Sequence, residues 1–177
     1  MTAMSTIITA LVLIAMILTT SLTLAQSAFT SMDYMAQCWK LVGEAVQESL
    51  RTNITAVSAQ ESGGYVEVLI QNSGSEHIAQ FDNWDVLVQY YDDSGVYYIL
   101  EAEYVEGTSP GDNQWSVSGI YTDDSLTQNE VFEPGILNPG EVMLLEINPA
   151  PSPDSNTMCL VIVSTPGGVT ASIQFEV

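Results

Sequence analysis

The sequence predicts an α+β chain, a long N-terminal α-helix followed by an all-β head of sandwich or barrel type. Three observations lead there. Residues 1–32 contain no charged residue, no Gly and no Pro, whereas residues 52–177 hold 19 of the 22 acidic residues and neither Lys nor Arg. The apolar period changes from 3.6 to 2 after Gly63-Gly64. Beyond that pair, turn residues recur at short intervals and no second helical stretch follows. The division is placed at residues 1–60 for the helix and 61–177 for the head.

The helix begins as a uniformly apolar segment. Of residues 1–32, 20 are apolar and the rest are Ser, Thr and one Gln; within residues 7–18 only Thr9 interrupts the apolar run. A 32-residue helix is about 48 Å long, more than the roughly 30 Å of a bilayer's hydrocarbon core. Charge first appears at Asp33, and the apolar residues then become one-sided: Tyr34, Met35, Cys38, Trp39, Leu41, Val42, Ala45, Val46, Leu50, Ile54 and Val57 follow in helical steps. Only Gly43 falls inside, so a single helix is expected to run to about residue 57. A secretory signal peptide explains the segment poorly: Leu24-Ala25-Gln26-Ser27-Ala28 offers small residues for cleavage, but a basic start is missing and the run is too long. A plain membrane anchor leaves the one-sided extension unexplained. Helix-on-helix packing in a dry environment suits the Ala, Ser and Thr scattered through residues 2–31.

The head is expected to contain seven strands, at 65–72, 84–91, 96–104, 114–122, 141–148, 158–164 and 169–177. Each shows alternation or a short apolar run. Between them lie Asn72-Ser73-Gly74, Asp92-Asp93-Ser94-Gly95, residues 108–112, Asn138-Pro139-Gly140, residues 149–156 and Pro166-Gly167-Gly168. Short strands at this spacing point to an antiparallel, immunoglobulin-like sandwich or barrel.

Residues 9–18, Thr9-Ala10-Leu11-Val12-Leu13-Ile14-Ala15-Met16-Ile17-Leu18, resemble the start of mature archaellins, the type IV pilin-like subunits of the archaeal swimming filament. Ser5 stands where many bacterial pilins carry Glu, which sets the chain apart from those. The head extends the resemblance: Asn72-Ser73-Gly74 closing a strand, then Trp84-Asp85-Val86-Leu87-Val88, then Leu137-Asn138-Pro139-Gly140-Glu141 entering a strand. These are similar to archaellin heads and equally to two archaellum stator-type proteins that combine a pilin-like helix with a β-sandwich. The resemblance implies a homopolymer of this chain in an extracellular filament, membrane-embedded before assembly and handled by the archaellum assembly machinery. Candidate core-interface residues are Ile7, Leu11, Ile14, Leu18, Tyr34, Cys38, Trp39 and Val42.

Charge excludes other partners. At a net charge of −20, with Lys40 and Arg51 as the whole basic supply, the chain has no footprint for nucleic acid and is repelled by an anionic membrane surface. Catalysis has little to work with. His77 is the one His, no Gly-x-Ser-x-Gly elbow is present, and acid pairs among 22 carboxylates carry no information. No enzyme activity and no cofactor are expected. Asp92-Asp93 and Asp123-Asp124 are the candidates for Ca²⁺ or another divalent ion, although neither loop has a twelve-residue spacing ending in Glu; the alternative is a solvated acidic turn. Cys38 and Cys159 are weighed as a disulfide pinning stalk to head or as two buried thiols. Asn53-Ile54-Thr55 is an N-glycosylation sequon.

Three functions fit: a filament subunit, a membrane-anchored stator-type protein docking through an exposed strand edge, and a tethered adhesive or carbohydrate-binding module using Tyr90, Tyr97, Tyr98 and Trp115. The first is preferred. Heads carrying about −19 each repel over a Debye length of roughly 8 Å at physiological salt, so helix packing must drive assembly.

Overall fold

The computed structural model describes residues 2–177, leaving aside the side chains of residues 2–5, 44, 45 and 47–50. The chain divides into two compact units, residues up to Val46 and from Gln47 onward.

The helix, α1, spans Thr2–Arg51. Its hydroxyls bond back onto its own carbonyls: Thr19 Oγ1 donates to Ala15 O, Thr20 to Met16 O, Thr23 to Thr20 O, Thr30 to Gln26 O and Ser31 to Ser27 O. Each hydroxyl is thus satisfied within the helix and asks nothing of a dry environment.

The expected continuation to residue 57 is corrected. After Arg51 the chain becomes strand β1 (Ile54–Ser62), which folds back on β2 (Tyr65–Asn72). The register shifts between Ala56 and Ser58, so Val57 sits on a bulge. Ile54, Ala56 and Ala59 turn inward while Val57 is exposed. A bulge adds one residue to the alternation, so the inward positions step by three from Ala56 to Ala59, while Ile54 and the outward Val57 match a helical step in sequence alone. The two-residue connection Gly63-Gly64 has φ of 63° and 93°, a pair of left-handed positions that suits a tight hairpin and favours Gly at both.

The seven expected strands are all present, with ends within one residue: β2, β3 (Asp85–Tyr91), β4 (Tyr97–Tyr104), β5 (Gln114–Tyr121), β6 (Val142–Asn148), β7 (Met158–Ser164) and β8 (Thr170–Glu176). With β1 they form one eight-stranded sheet in the order β1-β2-β6-β5-β4-β3-β7-β8, antiparallel except for β4 beside β5. β8 lies against β1, so the sheet curls into a nearly closed barrel or sandwich. The weakest seam is between β4 and β5, which pair only through Glu103 with Gln114 and Tyr104 with Trp115.

Alternate residues of each strand fill the interior. Val66, Val68 and Ile70 lie beside Ile147, Leu145 and Met143 across the β2–β6 ladder, with Trp115 next to Ile147 on β5, and Val86 and Val88 meet Val163 and Val161 across the β3–β7 ladder. Trp115 is fully buried and contacts Tyr104 edge-on at 4.9 Å between ring centroids.

One turn is held by polar atoms. Buried Asn72 donates from Nδ2 to the carbonyls of Glu76 and Leu137 and accepts from the Gly74 N–H. The Arg51 carbonyl accepts from Ser75 N at 2.8 Å, and Asn53 O accepts from Ser73 and Gly74. A Cβ on Gly74 would stand 2.5 Å from Asn53 N and 2.6 Å from Arg51 O, both backbone atoms that cannot swing aside.

Gly74→Ala is therefore expected to destabilise the protein by about 2 kcal/mol or more, since backbone must shift to admit the methyl group. Thermal unfolding of the full chain in detergent checks this; an unchanged midpoint would show that the turn yields freely.

Candidate assembly surface

In the unit ending at Val46, the apolar residues of α1 are exposed rather than packed. Seven of the eight candidate interface residues lie between 54% exposed (Val42) and 74% (Trp39), and Cys38 is exposed too. At 3.6 residues per turn, Ile7, Leu11, Ile14 and Leu18 fall within a sector of about 60°, a narrow stripe. Tyr34, Cys38, Trp39 and Val42 spread over a broader sector of about 140° by the same geometry. Within Thr6–Gly43 the helix is long and apolar enough to cross a membrane, an 18-residue window of it reaching a mean hydropathy of 2.4. So much contiguous apolar surface on one chain marks a binding face or a membrane segment.

In the unit from Gln47 onward, the sequence candidates fall as follows. Asn53 Nδ2 donates to Ser73 Oγ at 2.8 Å, and Thr55 Oγ1 lies 2.8 Å from the same oxygen, so Ser73 bridges the sequon's two polar residues. Arg51 makes an ion pair with Glu76 at 2.7 Å. His77 is exposed on its loop.

The candidate divalent loops are turn-builders. Asp92 Oδ1 accepts from Ser94 N and Val96 N, closing the β3–β4 turn with Asp93 exposed beside it. Asp123 accepts from Thr127 N, Gln128 N and Thr127 Oγ1, with Asp124 exposed. Among the described residues, no three His, Cys, Asp or Glu side chains gather where a metal ion could sit. The Asp123 carboxyl is held below the usual range, chiefly by the Thr127 hydroxyl.

The cysteines are both free. Cys159 sits in the barrel interior, opposite Phe175 in the β7–β8 ladder, with its side chain 0% exposed, and burial pushes its thiol up to about 12. The Cys159 side chain is directed into the core.

Two further expectations change. Of the four aromatic residues offered for glycan stacking, Tyr90 and Trp115 are core and Tyr98 is half-buried against Tyr90, leaving Tyr97 exposed. The sheet ends that a strand-adding partner would use, β1 and β8, cover each other.

The alternation reading passed over Val131 and Phe132, which are 75% and 93% exposed. They sit in a stretch rich in turn signals, Glu130-Val131-Phe132-Glu133-Pro134-Gly135, where two large apolar residues are out of place; that mismatch was the available clue. Glu130 Oε1 accepts from the backbone N–H groups of Phe132 and Glu133, and these bonds hold its carboxyl below the usual range.

Comparison with known proteins follows the same outline. The sequence model of the archaeal-type flagellin family matches residues 3–175. The archaeal flagellum of Methanospirillum hungatei strain JF1 is similar in fold, at 14% identity and a TM-score of 0.58, over 97% of this chain and 92% of that one. The archaellum periplasmic stator protein FlaG from Sulfolobus acidocaldarius aligns with 70% of this chain and 99% of its own, at 22% identity and a TM-score of 0.50. No curated protein sequence matches.

In the unassembled chain in detergent, a thiol reagent is expected to label one cysteine, Cys38, with Cys159 reacting only after denaturation; mass spectrometry of labelled peptides checks this. The loop after β5 should respond to acid. The carboxyls of Asp123 and Glu130 are lowered in the folded state, so their bonds support the loop above the ordinary carboxylate pKa of about 4 and are lost as pH falls through the lowered values. Amide hydrogen exchange at Thr127, Gln128, Phe132 and Glu133 is expected to rise in that acidic window. Asp123→Asn should show faster exchange at Thr127 and Gln128 already at neutral pH.

Proposed function

The chain belongs to the archaeal-type flagellin family, and from that premise we propose how it works as a structural subunit of an extracellular archaellum filament. The helix of each copy packs its apolar surface against the helices of other copies. The acidic heads face the surrounding medium. Before assembly, the same helix holds the chain in the membrane, from which the archaellum assembly machinery draws it. The filament then serves swimming as a rigid propeller whose chemistry is confined to its subunit contacts.

The observation that carries this reading is the length of the apolar surface. Exposed large apolar side chains recur along the helix from Ile7 to Val42, roughly 50 Å of helix, whereas a hydrocarbon core of roughly 30 Å needs about 20 residues. A simple anchor has no use for the remainder. Lateral packing in a polymer uses all of it, and the internally bonded Thr and Ser hydroxyls let neighbouring helices approach without stranding a polar group. One heterologous contact repeated along a screw axis gives an open filament without further instruction.

The acidity sets the conditions. Copies at −20 repel one another, and because the helix leaves lipid rather than water, the energy to overcome this comes from close van der Waals packing of the stripe of Ile7, Leu11, Ile14 and Leu18 against neighbouring helices. Salt shortens the range of the repulsion and favours assembly.

Ile14→Asp or Leu18→Asp places an unpaired charge in that packing, at about 2.5–3.5 kcal/mol per subunit in a membrane-like interior. Filaments are expected to vanish from material sheared off the cells, while Ile14→Leu assembles normally. Electron microscopy of the sheared fraction reads the result, and intact filaments from the Asp variants would refute the packing scheme.

A further inference from the structure

We propose that Asn53 carries a covalently attached oligosaccharide whose first sugar seats in the groove beside it, between Arg51, the Ser73-Gly74-Ser75 turn and Val169. The inference goes beyond the filament reading and requires only that the head lie outside the cell.

Local structure presents the acceptor. Of the chain's eight Asn residues, Asn53 alone begins an Asn-x-Ser/Thr triplet. Alternation at the start of β1 buries Ile54, at 4% exposed, and turns Asn53 and Thr55 outward together. Ser73 Oγ lies 2.8 Å from both Asn53 Nδ2 and Thr55 Oγ1 and so holds amide and hydroxyl side by side. The bond to Ser73 uses one of the two amide hydrogens; among the described residues the other has no acceptor. A sugar can replace that second hydrogen with the Ser73 bond still in place.

The groove supplies the rest of the site. Its volume of about 570 Å³ lies within the roughly 300–1,000 Å³ in which proteins hold small organic ligands. Its walls are fixed by backbone, since Ser73 N and Gly74 N donate to Asn53 O and Ser75 N donates to Arg51 O. The hydroxyls of Ser73 and Ser75 are exposed along it, and Gly74 between them adds no side chain to fill it. Arg51 is the one Lys or Arg in the unit from Gln47 onward. Its Nη2 is engaged by Glu76 at 2.7 Å, which leaves further guanidinium N–H groups to donate to sugar hydroxyls or to a sugar carboxylate. Half-buried Val169, from the connection between β7 and β8, offers an apolar contact for the C–H face of the ring. Hydroxyls, one cation and one apolar side chain thus surround an outward acceptor amide, a set that matches a sugar ring in each part.

The attachment is a group transfer in which this chain is the substrate. A bond forms between Asn53 Nδ2 and C1 of the sugar as the bond from C1 to the phosphate oxygen of a lipid-linked sugar donor breaks. The phosphate keeps the electron pair, and one Nδ2 proton passes to a base of the transferase. A lipid-linked donor resides in a membrane, and a helix long enough to cross one brings acceptor and donor to the same surface. The product is a bulky hydrated group on the outside of β1, as an N-linked glycan requires.

The test is mass spectrometry of the full chain extracted in detergent from its native cells. The peptide carrying Asn53 is expected to show sugar-sized mass increments that are lost in Asn53→Gln and Thr55→Val and kept in Thr55→Ser. An Asn53 peptide of unmodified mass overturns the proposal, and so does a modification that survives Thr55→Val. The seat in the groove has its own readout. Mild periodate turns the glycan's diols into aldehydes, which a nearby lysine captures under cyanoborohydride. Val169→Lys is expected to give a link between the Asn53 glycopeptide and the peptide carrying residue 169, whereas Glu61→Lys, at the other end of β1, should give none. A modified chain with no link from Val169→Lys, or with an equal link from Glu61→Lys, overturns the seat. All of these measurements use the extracted chain, so they stand whether or not filaments form, and failure of the filament reading shows separately in the sheared fraction.

Discussion

The constraint on which everything else depends is that α1 cannot keep its surface in water. Ile7, Leu11, Ile14, Leu18 and their neighbours are exposed by more than half, and no soluble monomer sustains an apolar patch of that extent. The helix has two ways to satisfy it, lipid or other helices. Its sequence helps in both, because five of its hydroxyls bond to its own backbone: Thr19, Thr20, Thr23, Thr30 and Ser31 close onto carbonyls three or four residues back. Hydroxyls bonded in this way strand no donor in either dry environment.

The head answers a different requirement, which is to remain soluble, discrete and rigid at high negative charge. Curling the sheet until β8 meets β1 removes the long free edges through which β proteins aggregate. Acidic side chains then serve local structure as well as repulsion. Asp92, Asp123, Glu130 and Glu141 each accept backbone N–H groups in turns. In these places the carboxylate builds the loop that displays it.

Much of this was legible in the sequence because its signals were local and periodic. Strands such as 65–72 and 158–164 were found to the residue, since Val66, Val68 and Ile70, or Cys159, Val161 and Val163, alternate cleanly against polar turns. β1 was not legible, because the bulge at Val57 broke its alternation and Ile54 and Val57 then matched a helical step. The parallel meeting of β4 and β5 was hidden for another reason. It depends on a pairing between segments ten residues apart that no turn signal specifies. Among site residues, the helix stripe was readable from its steps of three and four. The burial of Cys159 was readable as one of two alternatives, from the alternation that also places Val161 and Val163 inside. Phe132 escaped notice because a lone aromatic in a turn-rich stretch has no period.

The central claim, that copies of this chain bury their helices against each other outside the cell, is tested most directly on material sheared from cells that make it. Electron microscopy of that fraction, with mass spectrometry of the 19.2 kDa chain, gives the answer. The expected result is long filaments composed of this chain, with helices packed together through Ile7, Leu11, Ile14 and Leu18. Recovery of the chain solely from the membrane fraction, with no filament containing it, would contradict the account.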